Sequence, residues 1–166
     1  MLDHKISKPS SIRGYSIHRM VAELCDGVPY QFVDRGDHLI IRTEKRITDS
    51  AANLREVISG EVLAFELRAS VAIRRGGKNL YPEIGDWRAR RQWLEERSER
   101  HGFILLAVHV TDERLEVRTT NERKFWIDST DFTGVLKVTQ VDAFSKTLQS
   151  GIGRVGKAFG MGMLII

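Results

Sequence analysis

Short apolar segments and amphipathic segments alternate along this chain of 166 residues, and the order of alternation repeats once. In the first half, apolar runs predict an edge strand at residues 4–7 and further strands at residues 30–33, 38–42 and 62–73. Helical spacing predicts a helix over residues 14–25, and a cap at Asp49 or Ser50 predicts a second helix that ends at Gly60. The first half therefore has the order β-α-β-β-α-β.

The second half repeats this order, with the end of the long strand as its opening element. Helices are predicted from a cap at Asp86 to about Arg100 and over residues 142–149. Strands are predicted over residues 103–110, 115–118 and 133–139, with a turn at 111–114, an extension of the ribbon at 125–128 and a closing strand at 161–166. We therefore predict an α+β fold of two tandem ferredoxin-like (RRM-like) βαββαβ domains, at residues 1–75 and 87–166, joined by a basic, glycine-containing connection at 76–86.

The composition excludes several classes of protein. Cys25 is the only cysteine, and the spacings of cysteine or histidine pairs that are typical of zinc sites do not occur. The first residues lack the apolar core of a signal peptide, and no apolar run approaches the roughly 20 residues of a membrane span. We expect a cytoplasmic protein without a disulfide framework, a metal site or a membrane partner.

Positive charge is concentrated in two segments. Residues 68–91 contain seven Lys or Arg against two acidic residues, and residues 137–166 contain four against one, whereas the net charge of the whole chain is only +4. Such segregation favours a polyanionic partner, because each neutralised phosphate releases condensed counterions. A solvated basic face would have the same composition.

Glycines are concentrated near the C-terminus, in the segment GIGRVGKAFGMG. Its first six residues match the dinucleotide fingerprint Gly-x-Gly-x-x-Gly, but a helix precedes them and no acidic residue follows them, so we expect no nucleotide cofactor. A loop of this kind can bring backbone N–H groups close to phosphate oxygens, and Arg154 and Lys157 would add charge. The alternative is a plain glycine-rich bend before a terminal strand.

Tyr15 and His18 lie three residues apart on the first predicted helix, on a flank beside the apolar stripe. A histidine at the border between core and solvent can exchange a proton near neutral pH, and a neighbouring phenol can orient a reacting oxygen. A single histidine on a helix flank can equally be without function. His4, His38 and His101 are predicted at surface or turn positions.

Four motifs together resemble the CasE-type CRISPR RNA-processing endoribonucleases. Tyr15-Ser16-Ile17-His18 is similar to the Tyr-x-x-His of the first helix in that family, and Phe65-Glu66-Leu67-Arg68-Ala69 to its Phe-x-Leu-Arg-Ala strand. The segment Arg91-Gln92-Trp93-Leu94 resembles the Trp-Leu segment that opens the second domain. GIGRVGKAFGMGMLII resembles the C-terminal glycine-rich loop and final strand, and is the most specific of the four.

This resemblance implies metal-independent cleavage of the repeat hairpin of precursor CRISPR RNA, with 2′,3′-cyclic phosphate and 5′-OH ends and a product that stays bound. It implies His18 as general acid or base, Tyr15 as a positioning or stabilising group, no cofactor, and the other subunits of a CRISPR complex as partners. The implied RNA-binding cations are Arg68, Arg74, Arg75, Lys78, Arg123, Lys124, Arg154 and Lys157. The implied loop glycines are Gly151, Gly153, Gly156, Gly160 and Gly162.

Two alternatives remain at this point. The same fold could grip an RNA stem without cutting it, as a structural subunit of a ribonucleoprotein. An unrelated ferredoxin-like protein could instead bind a small ligand or another protein.

Overall fold

The structure, a computed structural model, describes residues 1–118 and 124–166. Its first sheet contains β1 (Leu2–Ser7), β2 (Tyr30–Asp34), β3 (His38–Thr43) and β4 (Ala52–Asn53), in the order β2-β3-β1-β4. Helix α1 (Tyr15–Cys25) connects β1 to β2 and buries Ile17, Val21 and Cys25 against Phe32, Leu39 and Ile41. All pairings within this sheet are antiparallel.

The second half contains more elements and a larger core. In chain order they are β5 (Val62–Ala69), β6 (Ile73–Arg75), β7 (Lys78–Leu80), α2 (Trp87–Ser98), a 3-10 turn (Glu99–His101), β8 (Phe103–Arg118), β9 (Lys124–Val138), α3 (Val141–Ser150), a second 3-10 turn (Lys157–Phe159) and β10 (Leu164–Ile165). The sheet order is β10-β5-β9-β8, and β6 and β7 form a separate hairpin. The core lies between this sheet and helices α2 and α3, with Trp93, Phe103, Phe132 and Phe144 at its centre.

Both sheets place their first and third strands in the middle and their second and fourth strands at the edges. This is the strand order of the ferredoxin-like fold, so the predicted fold class is confirmed. The chain passes from the first sheet to the second between Asn53 and Val62, since β4 pairs with β1 whereas β5 pairs with β9 and β10.

The second helix predicted for the first half is wrong. Residues 54–58 have no regular secondary structure, and the short strand β4 precedes them. The apolar residues of this segment do not share one helix face against the first sheet: Leu54 and Val57 pack on the core of the second half, whereas Ile58 is 70% exposed. The backbone N–H of Leu54 donates to the carbonyl of Met1, which holds the chain extended as it crosses between the sheets.

The long strand predicted at residues 62–73 is also corrected. It ends at Ala69 and belongs entirely to the second sheet rather than closing the first one. The following segment contains the β6-β7 hairpin, in which Gly76 and Gly77 form the turn with positive φ angles. Residues 76–86 are therefore not a connection between the two sheets.

A third correction concerns the turn predicted at residues 111–114. Strand β8 runs through these residues without interruption, and they pair with residues 128–131 of β9. The polar residue Asp112 accepts hydrogen bonds from the backbone N–H of Gly85 and from Nε1 of Trp87, and it forms an ion pair with Arg90 at 2.9 Å. The polar residue that suggested a turn therefore anchors the start of α2 to the strand.

Arg42 joins the two halves. Its side chain is only 1% exposed, and it binds both carboxylate oxygens of Asp3 at 2.7 and 2.8 Å. Its remaining terminal nitrogen donates to the backbone carbonyls of Leu148 in α3 and Leu164 in β10, each at 2.9 Å. This buried guanidinium holds β3 of the first sheet against the second half.

One histidine lies elsewhere than predicted. His4 is fully buried on β1, where its Nδ1 forms a hydrogen bond of 3.0 Å with the hydroxyl of Thr48.

Helices are short throughout the described residues, and none has the length and apolar character that crossing a bilayer requires.

Candidate active site

On the flank of α1, His18 and Tyr15 lie beside two further aromatic side chains, Tyr30 and Phe159. The ring centroids of Tyr15 and His18 lie 5.3 Å apart, and those of His18 and Tyr30 lie 6.1 Å apart. Tyr15 is 39% exposed, and His18 is half-buried. The predicted pair is therefore brought together at a boundary between core and solvent, where a bound molecule could reach it.

Tyr30, at the start of β2, orients the imidazole of His18. Its phenol oxygen lies 2.9 Å from Nδ1 of His18. Burial raises the pKa of Tyr30, and the neighbouring Cys25 and Tyr15 raise it further, so the phenol stays neutral. A neutral phenol can donate to a bare Nδ1 or accept from a protonated one. The hydrogen bond thus fixes the ring while leaving Nε2 without a hydrogen bond to the described residues.

Sequence reasoning missed Tyr30. It lies twelve residues from His18, on a strand whose other residues follow an ordinary half-buried pattern. The one available signal was a tyrosine at the first position of the strand that follows the helix. The relation of this position to α1 depends on how the helix packs across the sheet.

The glycine-rich loop from α3 to β10 packs beside this cluster. Phe159, in its 3-10 turn, lies 6.3 Å from Tyr15 and 5.9 Å from Phe125 near the start of β9, measured between ring centroids. The five predicted glycines all have positive φ angles, which side chains rarely adopt. At Gly160 a Cβ atom would lie 3.0 Å from the ring of Phe32, so glycine also allows the loop to touch the first sheet closely.

The predicted RNA-binding cations fall into three groups. Arg154 and Lys157 are exposed on the glycine-rich loop. Arg74, Arg75 and Lys78 are exposed on the β6-β7 hairpin, where they form no ion pair with any described residue. Lys124 is exposed at the start of β9, 3.7 Å from a carboxylate oxygen of Glu116.

Two predicted cations differ from these groups. Arg68 binds both carboxylate oxygens of Asp131, at 2.7 and 2.9 Å, and this pairing raises the pKa of the guanidinium. A phosphate at Arg68 would have to compete with Asp131. Arg123 lies outside the described residues.

Comparison with known families gives one match to a sequence model. The model of the family described as CRISPR associated protein matches residues 37–166. Tyr15, His18 and Tyr30 precede the matched region, so the match does not depend on the aromatic cluster. Curated proteins, by contrast, give no significant match to the chain.

Several solved structures are similar over almost the whole chain. Cse3 of Thermus thermophilus, bound to an RNA representing a pre-cleavage complex, has 24% identity and a TM-score of 0.82, with 99% of this chain and 97% of that chain covered. Cas6e of Escherichia coli K-12 has 21% identity and a TM-score of 0.78, with 99% and 98% covered. A chain of E. coli Cascade bound to a PAM-containing double-stranded DNA target has 20% identity and a TM-score of 0.68, with 99% and 97% covered. At these identities the likeness shows a shared fold.

Proposed function

Because the chain belongs to the family of CRISPR associated proteins, we propose that it is a metal-independent endoribonuclease that cuts the repeat hairpin of precursor CRISPR RNA. The resemblance to CasE-type proteins is confirmed at the level of family and fold. Support for the activity comes from structural neighbours named as CRISPR endoribonuclease Cse3, one of them at 25% identity and bound to a 19-nucleotide RNA.

The observation that carries the proposal is the position of His18. Its Nδ1 is bound to the phenol of Tyr30 and its Nε2 is unoccupied by the described residues, on a half-buried ring next to a second phenol. Cleavage of RNA by its own 2′-OH requires only proton transfers and stabilisation of charge on the phosphate. An oriented imidazole with one free nitrogen can carry out such a proton transfer.

In the proposed reaction the 2′-oxygen bonds to the adjacent phosphorus while the bond from phosphorus to the 5′-oxygen breaks. The 2′-OH gives up its proton and the departing 5′-oxygen gains one. His18 Nε2 serves one of these two transfers, and Tyr15 positions the reacting groups or donates to a phosphate oxygen. The products are a 2′,3′-cyclic phosphate and a 5′-OH, and the protein stays bound to the cyclic-phosphate product.

We propose that the RNA stem is gripped through its backbone by the cations of the glycine-rich loop, the β6-β7 hairpin and the β8-β9 ribbon. The exposure of Arg74, Arg75, Lys78, Arg154 and Lys157 supports this assignment. Shape and phosphate contacts suit an A-form stem, whose deep major groove side chains cannot read. The similarity to a chain of the Cascade assembly supports partnership with other CRISPR complex subunits after cleavage.

The test is to incubate the purified protein with its genomic repeat RNA in excess EDTA and to identify the ends of the products. We expect one cut with a 2′,3′-cyclic phosphate, unaffected by EDTA. Tight binding of the hairpin without any cut would favour the non-catalytic structural subunit, and a requirement for a divalent cation would contradict metal independence.

A further inference from the structure

A cleft of about 500 Å³ lies between the C-terminal end of α2 and the glycine-rich loop. Arg97, Arg100 and His101 line it from the helix side, and Arg154 and Lys157 line it from the loop. Only the last two were predicted as RNA contacts from the sequence. The cleft therefore adds three basic side chains, from another element, to the surface of the loop.

No carboxylate lines this cleft among the described residues. Burial lowers the pKa of Arg97, and the charge of Arg100 lowers it further. The pKa of His101 is likewise lowered by burial and then by Arg100 and Arg97. The charge of Arg97 is partly offset by a carboxylate oxygen of Glu96 at 4.0 Å. The four cations of this concave wall still repel one another, and an anion of matching size would remove that repulsion.

Several of these side chains are held in place before any ligand arrives. The guanidinium of Arg97 lies 4.2 Å from the ring centre of Trp93 and donates to its backbone carbonyl at 2.8 Å. Lys157 donates from Nζ to the carbonyl of Ser150 at 2.8 Å. Nδ1 of His101 lies 2.7 Å from the hydroxyl of Thr147. Such preorganisation lowers the entropic cost of binding a ligand.

Arg100 and Arg154 complete the cleft from opposite sides. Both are exposed, and neither forms an ion pair or a hydrogen bond with the residues that the structure describes. Their charges are thus available to a ligand that enters the cleft, in addition to those of Arg97 and Lys157.

The glycine-rich loop connects this cleft to the aromatic cluster. Lys157 and Phe159 belong to the same 3-10 turn, and Lys157 lines the cleft whereas Phe159 packs against Tyr15. An RNA strand that passes over the loop from His18 would meet the cations of the cleft with a second part of its backbone.

We propose that this cleft binds a backbone phosphate of the RNA other than the scissile one, with Arg97, Arg100 and His101 acting together with Arg154 and Lys157. The proposal rests on the proposed function, because it takes the repeat RNA as the ligand. The C-terminal end of α2 and the 3-10 turn after it would then contribute to binding of the substrate.

The test measures binding of repeat hairpin RNA that carries a 2′-deoxynucleotide at the cleavage site, so that binding is separated from cutting. Arg100→Gln is compared with wild type and with Arg88→Gln, which also removes an exposed arginine, but from the opposite end of α2. For Arg100→Gln we expect a roughly tenfold weaker affinity and a slope of log K against log salt that is shallower by about 0.7–0.9, the contribution of one phosphate contact. Arg88→Gln is expected to remain within twofold of wild type.

Ethylation interference on the same RNA identifies the phosphate. In wild type, ethylation of a phosphate away from the cleavage site should weaken binding, and in Arg100→Gln that site should no longer matter. Equal effects of Arg100→Gln and Arg88→Gln, or an unchanged interference pattern, would overturn the cleft as a phosphate site.

Cleavage of the unmodified RNA by wild type separates this proposal from the proposed function. If wild type cleaves the RNA and Arg100→Gln binds it as tightly as wild type does, the proposed phosphate site is wrong and the proposed endoribonuclease activity stands. If RNA binding depends on Arg100 but wild type does not cleave the RNA, the proposed phosphate site stands and the proposed endoribonuclease activity is wrong. If wild type fails to bind the RNA, both proposals fall.

Discussion

The two halves of this protein have the same strand order but different contents. The second half has both helices of the βαββαβ unit and a core that includes Trp93 and Phe132. The first half lacks the second helix and closes its sheet with the two residues of β4. Yet the first half supplies His18, Tyr15 and Tyr30.

Under the proposed function, the less complete half therefore carries the site of the reaction, and a loop from the other half lies next to it. In the first half the glycine-rich loop of the second half packs beside α1, with Gly160 close to Phe32 and Phe159 close to Tyr15. A loop with exposed cations thus lies beside α1, which carries the histidine. In the proposed reaction, the complete half provides most of the positive charge and the incomplete half provides the reacting imidazole.

The strongest test of this division removes the imidazole. We expect His18→Ala to slow cleavage by about 10²- to 10⁴-fold, the usual contribution of a general acid or base. The affinity for the hairpin should change by less than about threefold, because binding is assigned to the cations of the second half. Single-turnover cleavage and filter binding measure the two effects.

His109→Ala is the matched control, since that histidine is exposed on β8 of the other half. A loss of binding equal to the loss of cleavage in His18→Ala would show that the histidine is structural.

The connection between the halves can be broken at Arg42. Replacing it by methionine removes the partner of Asp3 and the donor to the carbonyls of Leu148 and Leu164. We expect the free energy of unfolding to fall by about 3 kcal/mol, as is typical when a buried ion pair loses one member. Urea denaturation measures it.

Arg35→Gln provides the comparison, because the ion pair of Arg35 with Glu66 also joins the halves but is partly exposed. That change should cost under about 1 kcal/mol. Similar losses in the two variants would contradict the assignment of the buried guanidinium as the principal link.

The contact of the loop with the first sheet is sharpened by two glycine substitutions. Gly160 and Gly36 both have positive φ angles, but an added Cβ would lie 3.0 Å from Phe32 at Gly160 and would meet nothing within 4 Å at Gly36. We expect Gly36→Ala to cost about 1 kcal/mol from backbone strain alone and Gly160→Ala about 2–3 kcal/mol. Thermal unfolding of both variants, with cleavage assayed in parallel, checks the difference. If the loop positions Phe159 and Tyr15, only Gly160→Ala should also slow cleavage.

The smallest expected effect is that of Tyr30→Phe. This change keeps the ring but removes the hydroxyl that holds Nδ1 of His18, so we expect cleavage to slow by roughly tenfold, the equivalent of one hydrogen bond. The pH profile of single-turnover cleavage should also shift, since Tyr30 acts through the imidazole. Val21→Ala, a change in the buried core on the same helix as His18, controls for altered packing. An unchanged profile in Tyr30→Phe would remove Tyr30 from the mechanism.

Local patterns in the sequence were sufficient for much of the fold. The helix bearing Tyr15 and His18 was predicted within one residue of its observed limits, because a single apolar stripe and the Asp26-Gly27 terminator define it. The hairpin of β2 and β3, helices α2 and α3 and the glycine-rich loop were predicted for similar reasons. Each of these elements is determined by interactions within a few residues.

The predictions failed where distant contacts override the local pattern. Leu54 and Val57 were assigned to a helix, but the core of the other half takes them into an extended segment. Asp112 suggested a turn, but Arg90 and Trp87 bind it within a continuous strand.

The sequence by itself determined helix α1, the hairpin of β2 and β3, the pairing of Tyr15 with His18 on one helix flank and the supply of cations near the chain's end. Spacing along a helix and composition along a segment are properties of the chain alone. Only the tertiary structure decided that Tyr30 reaches His18, that Arg42 joins the halves and that Arg97 and Arg100 face Arg154. Such contacts connect residues from 12 to more than 100 positions apart, as the hydrogen bonds of His18 with Tyr30 and of Arg42 with Leu164 illustrate. Their partners are chosen by how the sheets and helices pack, which no local pattern specifies.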